Sequence, residues 1–327
     1  MKLLTLALLI TVNLCTGAQD PSVLTLTQII PLPGVKGRFD HFAIDAKGHR
    51  LFIAALGNNT LEIVDLAGGR PLKSITGLHK PTGVLFLAEK NQIAVANGDD
   101  GTLKVFDGIS YGLVNTLGGL ENADNLRFDP KTKRIYAGYA KGALGIVDSE
   151  TMQQVGSIKL GAHPESFQLE TEGPRIFVNV TDAKHIAVID RETKSVVTTW
   201  PMTQFHAHFP MAMDQGHHRL FVGCRSPARL IIFDTANGHL VIDVALSGDT
   251  DDLFFDAKRA QIYASCGDGF VDVIKQGDAD HYQVRDRIRT RPGARTSFFS
   301  PELDALYLAV PHHQDQPAEL RVLRPRE

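Results

Sequence analysis

Leu61-Glu62-Ile63-Val64-Asp65, an apolar β-rich run ending in aspartate, comes back along nearly the whole chain. It returns as Leu103-Lys104-Val105-Phe106-Asp107, Leu144-Gly145-Ile146-Val147-Asp148, Ile186-Ala187-Val188-Ile189-Asp190 and Leu230-Ile231-Ile232-Phe233-Asp234. Two degenerate copies end the series, Phe270-Val271-Asp272-Val273-Ile274-Lys275 and Leu320-Arg321-Val322-Leu323-Arg324. The spacing is about 42 residues, and a period in the forties rich in β-branched and aromatic residues marks propeller blades. The pattern predicts an all-β, seven-bladed propeller of four-stranded antiparallel blades in a single domain over residues 19–327.

The first unit shows how a repeat becomes a blade. Phe42-Ala43-Ile44, Leu51 to Ala55 and Leu61 to Val64 are apolar runs, and Pro71 to Ile75 alternates. Asp45-Ala46-Lys47-Gly48, Gly57-Asn58-Asn59 and Ala67-Gly68-Gly69 between them have turn composition. Short connections of this kind give an antiparallel meander. The aspartate ending each third strand is expected to accept backbone N–H groups of the following turn, which makes it framework rather than a catalytic set. The seventh unit lacks an outer strand, and Val23 to Ile30 is an unassigned strand at the other end. The expectation is that it completes the last blade and closes the ring, so that no sheet edge stays open.

Charged residues make up 22 %, and the net charge of −3 mixes both signs. That leaves no basic excess to draw in phosphate backbones and argues against nucleic acid as a partner. Lys2, the apolar stretch Leu3 to Val12 and small Thr16-Gly17-Ala18 read as a signal peptide over residues 1–18. A periplasmic or secreted, monomeric protein is expected, with no transmembrane segment. Without the leader, only Cys224 and Cys266 remain, at equivalent places in neighbouring repeats. Packed sheets lie about 10 Å apart, beyond disulfide reach, so two free thiols are predicted. No Cys-x-x-Cys-His occurs, which excludes covalent haem.

Leu51-Phe52-Ile53-Ala54 and Arg134-Ile135-Tyr136-Ala137, each ahead of a turn and a strand ending in Asp, resemble the repeats of YVTN-type bacterial β-propellers of the YncE-like group. The likeness covers the mature chain. It implies an exported propeller and specifies no chemistry. No blade carries Trp-Asp, and the single tryptophan is Trp200.

Repetition also separates framework from candidate site. Two connections per blade reach one face of the ring: the loop entering the innermost strand and the loop between the second and third strands. Aligned on the inner strand, one column carries Asp40, Asp124, Glu165, Asp251 and Arg295. Two positions earlier stand Lys80, His163, His208 and Asp249, and His41, Asn125 and Asp252 follow the column in their own blades. Like charges crowded at a channel mouth raise one another's pKa unless compensated. Arg295 should compensate between Asp251 and Asp40, whereas Asp124 and Glu165 have no basic neighbour in their column.

A divalent cation held by Asp124, Glu165, His163 and His208 would satisfy them, and so would a ligand bearing an amine or hydroxyls. The other loops of this face add Asn58, Asp99, Lys141, Asp182, His185 and Asp268, with Arg225 as a planar donor for a carboxylate or phosphate. His217-His218 falls on the opposite rim, and His312-His313 sits in a polar face-side loop. There is no Gly-x-Ser-x-Gly, His-Glu-x-x-His or phosphate-cradling glycine loop. These observations favour binding of a small polar ligand or an envelope protein at the mouth, without chemistry. The alternative is a metal-dependent, lactonase-like hydrolase using the same residues.

Overall fold

A computed structural model describes residues 22–140 and 142–326; the expected leader and Lys141 fall outside them. The described residues form seven four-stranded antiparallel sheets. The innermost strands are Phe42–Asp45, Pro81–Leu87, Leu126–Asp129, Phe167–Leu169, His206–Asp214, Thr250–Asp256 and Thr296–Ser300, and they number blades 1 to 7 in chain order. Each of the first six sheets is a plain meander. In blade 1, Phe42–Asp45 pairs with Arg50–Ala55, then Thr60–Asp65, then Arg70–Ile75.

Blade 7 is built as the sequence predicts. Thr296–Ser300, Ala305–Val310 and Ala318–Pro325 come from the C-terminal end, and Leu24–Leu32 supplies the outer strand. Its register runs from Leu24 opposite Pro325 to Leu32 opposite Ala318, with one bulge between Leu26 and Gln28. Leu24, Ile30 and Leu32 are buried there. Burying a side chain of this size stabilises by about 1.5–3 kcal/mol, so three of them hold the latch.

The core is distributed. Seven apolar layers fill the seven spaces between neighbouring sheets, one layer per interface. This is why second and third strands are apolar on both faces: each sheet is covered on both sides. Aromatic pairs cross several interfaces, such as Phe52 on Phe86 at 5.4 Å and Tyr263 on Phe299 at 5.1 Å between ring centroids. On the rim opposite the candidate site, basic side chains clip one blade to the next. Arg50 donates to the Gly108 carbonyl, Lys90 to that of Ser149 (2.8 Å), and Arg259 pairs with Asp304 (2.6 Å).

The repeated aspartates make the expected turns. Asp148 Oδ1 accepts the N–H groups of Glu150 and Thr151, each at 2.9 Å. Asp190 receives those of Glu192 and Thr193, at 2.9 and 2.8 Å. These backbone donors hold both carboxyls below the usual carboxylate range. Cys224 and Cys266 are buried and free. No helix among the described residues is long and apolar enough to cross a membrane.

Candidate functional site

The loops entering the inner strands converge on a cavity of about 780 Å³ at one mouth of the channel. Backbone pairing sets the side chains there in the same way from blade to blade. The Asp40 N–H donates to the Ala54 carbonyl at 2.8 Å, that of Asp124 to Gly138 at 2.9 Å, and that of Glu165 to Asn179 at 2.9 Å. One framework position therefore carries three different blades' carboxylates into one space.

Two unlike halves result. On blades 5 to 7 the charges are already paired. Arg295 binds Asp249 at 2.6 Å and Asp251 at 3.0 Å, while Arg225 binds Asp249 at 3.2 Å and also contacts Asp251. Arg225 further donates to the Thr250 carbonyl at 3.0 Å and lies 4.4 Å over the Phe209 ring. Arg295 thus neutralises Asp249 and Asp251, rather than bridging Asp251 and Asp40 as its column position suggested. Arg225, expected as a free donor for a ligand, spends its fork on the same two aspartates.

On blades 1, 3 and 4 the partners are histidines. His41 Nε2 lies 3.5 Å from Asp40 Oδ1 and 3.7 Å from Asp124 Oδ1. His163 Nε2 lies 3.8 Å from Asp124 Oδ2, and its Nδ1 is 2.7 Å from the Ala140 carbonyl, so Nδ1 carries the proton. Blade 2 stands between blades 1 and 3 yet does not keep them apart. Its inner strand opens with Pro81-Thr82-Gly83, and a Cβ on Gly83 would lie 2.2 Å from the Asp124 carbonyl oxygen. Only a residue without a side chain lets the Asp124 backbone sit there.

Burial dominates the electrostatics. It pushes the Asp40 carboxyl up to about 6 against the pull of His41, and that of Glu165 up to about 7, with Asp124 adding to the rise. The Glu165 carboxyl has no hydrogen-bond or ion-pair partner among the described residues. Burial acts to raise Asp124 as well, but His163 and His41 outweigh it and hold that carboxyl below the usual range. The same carboxylates raise His41 and His163 despite burial, which opposes the charged ring.

Deeper in the channel stands Asp252, 8 % exposed, whose Oδ2 accepts the Ser297 N–H at 2.7 Å. Burial pushes it up to about 8, although His41 opposes the shift. Across from it, Arg127 donates to Asn125 Oδ1 at 3.2 Å and to the Leu126 carbonyl at 2.8 Å, and stacks 5.6 Å from the Phe167 ring centroid. Arg127 makes no ion pair among the described residues. The column comparison that found Asp124 could have found it too. Its place in the inner strand is taken by Ala43, Leu85, Gln168, Ala212, Phe254 and Phe298 in the other blades, and only blade 3 puts a charge there.

His208 does not join His163. A register shift between His208 and Met211 turns it out of the channel, and it is fully buried at the interface with blade 4. Its Nδ1 is 3.3 Å from Thr181 Oγ1, and Nε2 has no partner among the described residues. Burial and the nearby His185 push it down to about 4, which keeps the ring neutral. Asp124, His163 and Glu165 therefore meet without their fourth expected member, and Asp40 and His41 stand beside them instead. Among the described residues, Asp40, His41 and Asp124 form a group of potential cation ligands, with donor atoms all within 4.8 Å of one another. His312 and His313 sit on an exposed tip away from the cavity, and His217 pairs with Asp214 at 2.7 Å on the opposite rim.

No family model matches the chain. The uncharacterized protein YncE of Salmonella typhimurium (strain LT2) is 24 % identical over 187 residues, which is 56 % of this chain. The chain spans about half the length of that curated relative, 52 %. Among solved structures, a chain of the crystal structure of the mitotic checkpoint complex superposes with a TM-score of 0.79. That match covers 100 % of this chain and 99 % of the other at 14 % identity. A chain of Kuenenia stuttgartiensis hydrazine synthase gives 0.75 over 85 % of this chain and 95 % of its own, at 15 % identity. Identities this low speak to the fold alone. The chain is a seven-bladed β-propeller with sequence similarity to YncE over part of its length.

Proposed function

We propose that this protein is an exported propeller that binds a small polar ligand at the acidic, histidine-bearing mouth of its channel, without chemistry of its own. The observation that carries this reading is the asymmetry of the mouth. Asp249 and Asp251 are neutralised by Arg225 and Arg295, whereas among the described residues the Glu165 carboxyl lines the cavity unpaired and Asp124 has only histidines. Buried carboxyls kept above their ordinary range release free energy when a cation or hydrogen-bond donor arrives, so a ligand bearing an amine or hydroxyls fits that half. The leader-like composition of residues 1–18 supports export.

The experiment is a thermal-shift panel of amines, amino acids and sugars, followed by calorimetry on any hit. Glu165→Gln should remove the shift, and Asp148→Ala, on the opposite rim, should retain it. Binding that survives Glu165→Gln and Asp124→Asn together contradicts the proposal. A second reading, a metal-dependent hydrolase of the lactonase type, is favoured by the grouping of Asp40, His41 and Asp124 alone. Lactone turnover that stops on chelation would select it.

A further inference from the structure

We infer that Asp40, His41 and Asp124 form a binding site for a first-row divalent transition metal such as zinc or manganese(II). The inference rests on the reading of the mouth as a binding site and names a cation as one occupant.

The spacing of the donors points there. His41 Nε2 stands 3.5 Å from Asp40 Oδ1 and 3.7 Å from Asp124 Oδ1. Both gaps are longer than a charge-assisted hydrogen bond, which closes to about 2.7–2.9 Å. Elsewhere in this molecule histidine and aspartate do close: His217 with Asp214 at 2.7 Å and His281 with Asp278 at 2.8 Å. Metal bonds of about 2.0–2.2 Å arranged tetrahedrally put neighbouring donors roughly 3.3–3.6 Å apart, close to the separations at the mouth.

The surroundings add a second, independent indication. His163 Nε2 lies 3.8 Å from Asp124 Oδ2, the oxygen on the far side from His41, and the Ala140 carbonyl fixes its ring through Nδ1 at 2.7 Å. An outer histidine oriented by the backbone and aimed at a ligating carboxylate is the arrangement that holds first ligands in place. Below the cluster, Asp252 is 8 % exposed and lines the same cavity. Its Oδ2 accepts the Ser297 N–H, and its Oδ1 makes no hydrogen bond among the described residues, so that oxygen stays open to the cavity. One imidazole with two carboxylates and no thiolate suits zinc or manganese(II), rather than copper(I) or calcium. Three protein ligands leave at least one position open toward the cavity, where an oxygen of the small ligand or water would complete the shell.

The test titrates zinc chloride, manganese(II) chloride and calcium chloride into the chelator-stripped full chain near neutral pH. Zinc or manganese(II) should bind one-to-one, with calcium weaker. Asp124→Asn and His41→Gln should each weaken binding by more than about 100-fold, beyond the ~10–100-fold that loss of an outer partner costs. His281→Gln, at an exposed His–Asp pair, should change nothing. Circular dichroism checks that each variant folds, and Asp40→Asn replaces any that does not. No binding, binding undiminished in the folded mouth variants, or a preference for calcium overturns the inference. The amine and sugar panel repeated in EDTA separates the two readings. Ligand binding that persists there while no metal binds removes the cation and keeps the ligand site; loss of both removes both.

Discussion

Asp252→Asn should leave stability nearly unchanged at about pH 5 and raise it at about pH 9. In the folded protein the carboxyl is buried against the inner strand of blade 7 and pushed up to about 8 from 3.8. Between those values the folded state keeps a proton that the unfolded chain has released. Stability therefore falls as pH climbs from about 4 to about 8, and the loss is complete above the folded value. Four pH units at about 1.36 kcal/mol each set a ceiling near 5–6 kcal/mol. His41, Arg127, Asp40 and Asp251 all act on this group, and water can enter the cavity, so about 2–3 kcal/mol is the expected net effect. At roughly 2 °C per kcal/mol for a chain of this length, the variant should melt about 4–6 °C above the parent at about pH 9. At about pH 5 the two should agree within about 2 °C, because asparagine replaces a carboxyl that is already neutral and can still accept the Ser297 N–H. The assay is thermal unfolding followed by circular dichroism, with chelator present and ionic strength fixed. Asp40 and Glu165 tilt the parent curve in the same direction at lower pH, so the readout is the difference between the two proteins. An equal difference at both pH values would refute the reasoning.

Asp148→Ala should lower the denaturant midpoint, because the turn loses the acceptor of two N–H groups, yet leave ligand and cation binding at the mouth intact; denaturant unfolding and calorimetry read the two effects. Gly83→Ala should lower stability by about 1–3 kcal/mol and weaken binding, since the new methyl group pushes on the Asp124 backbone. Gly118→Ala meets nothing within 4 Å and should do neither. Cys224 and Cys266, buried with thiols pushed up to about 12, should each resist a thiol reagent in the native protein and become labelled only after denaturation, as peptide mapping would read. Rapid native labelling would show that the blade interfaces open.

The fold was legible because repetition multiplies a weak local signal: one run such as Leu61 to Asp65 could be any buried strand, but seven at one period form a ring. The column holding Asp40, Asp124 and Glu165 was legible for the same reason, since equal backbone positions aim side chains alike. What the column could not convey was local deviation. The bulge near His208 rotates one histidine into an interface. The long side chain of Arg295 swings to Asp249 rather than toward Asp40. The meeting of His41 with Asp124 depends on what blade 2 lacks, a Cβ at Gly83, and a search for chemically active residues passes over a glycine.

The first and last described strands share one sheet, and the Arg326 N–H reaches the Val23 carbonyl at 2.9 Å. Leu24–Leu32 must therefore wait for Ala318–Pro325. Six blades can fold from neighbouring sequence, but the seventh needs residues almost three hundred positions apart, so the circle stays unlocked until Ala318–Pro325 has been made. A chain drawn end-first through a narrow passage would arrive before it could shut, and the compartment that receives its tail is the one in which it becomes rigid. Linking Arg326 to Val23 and cutting instead beside Gly118 should yield a ring that shuts elsewhere with the same cavity at its mouth.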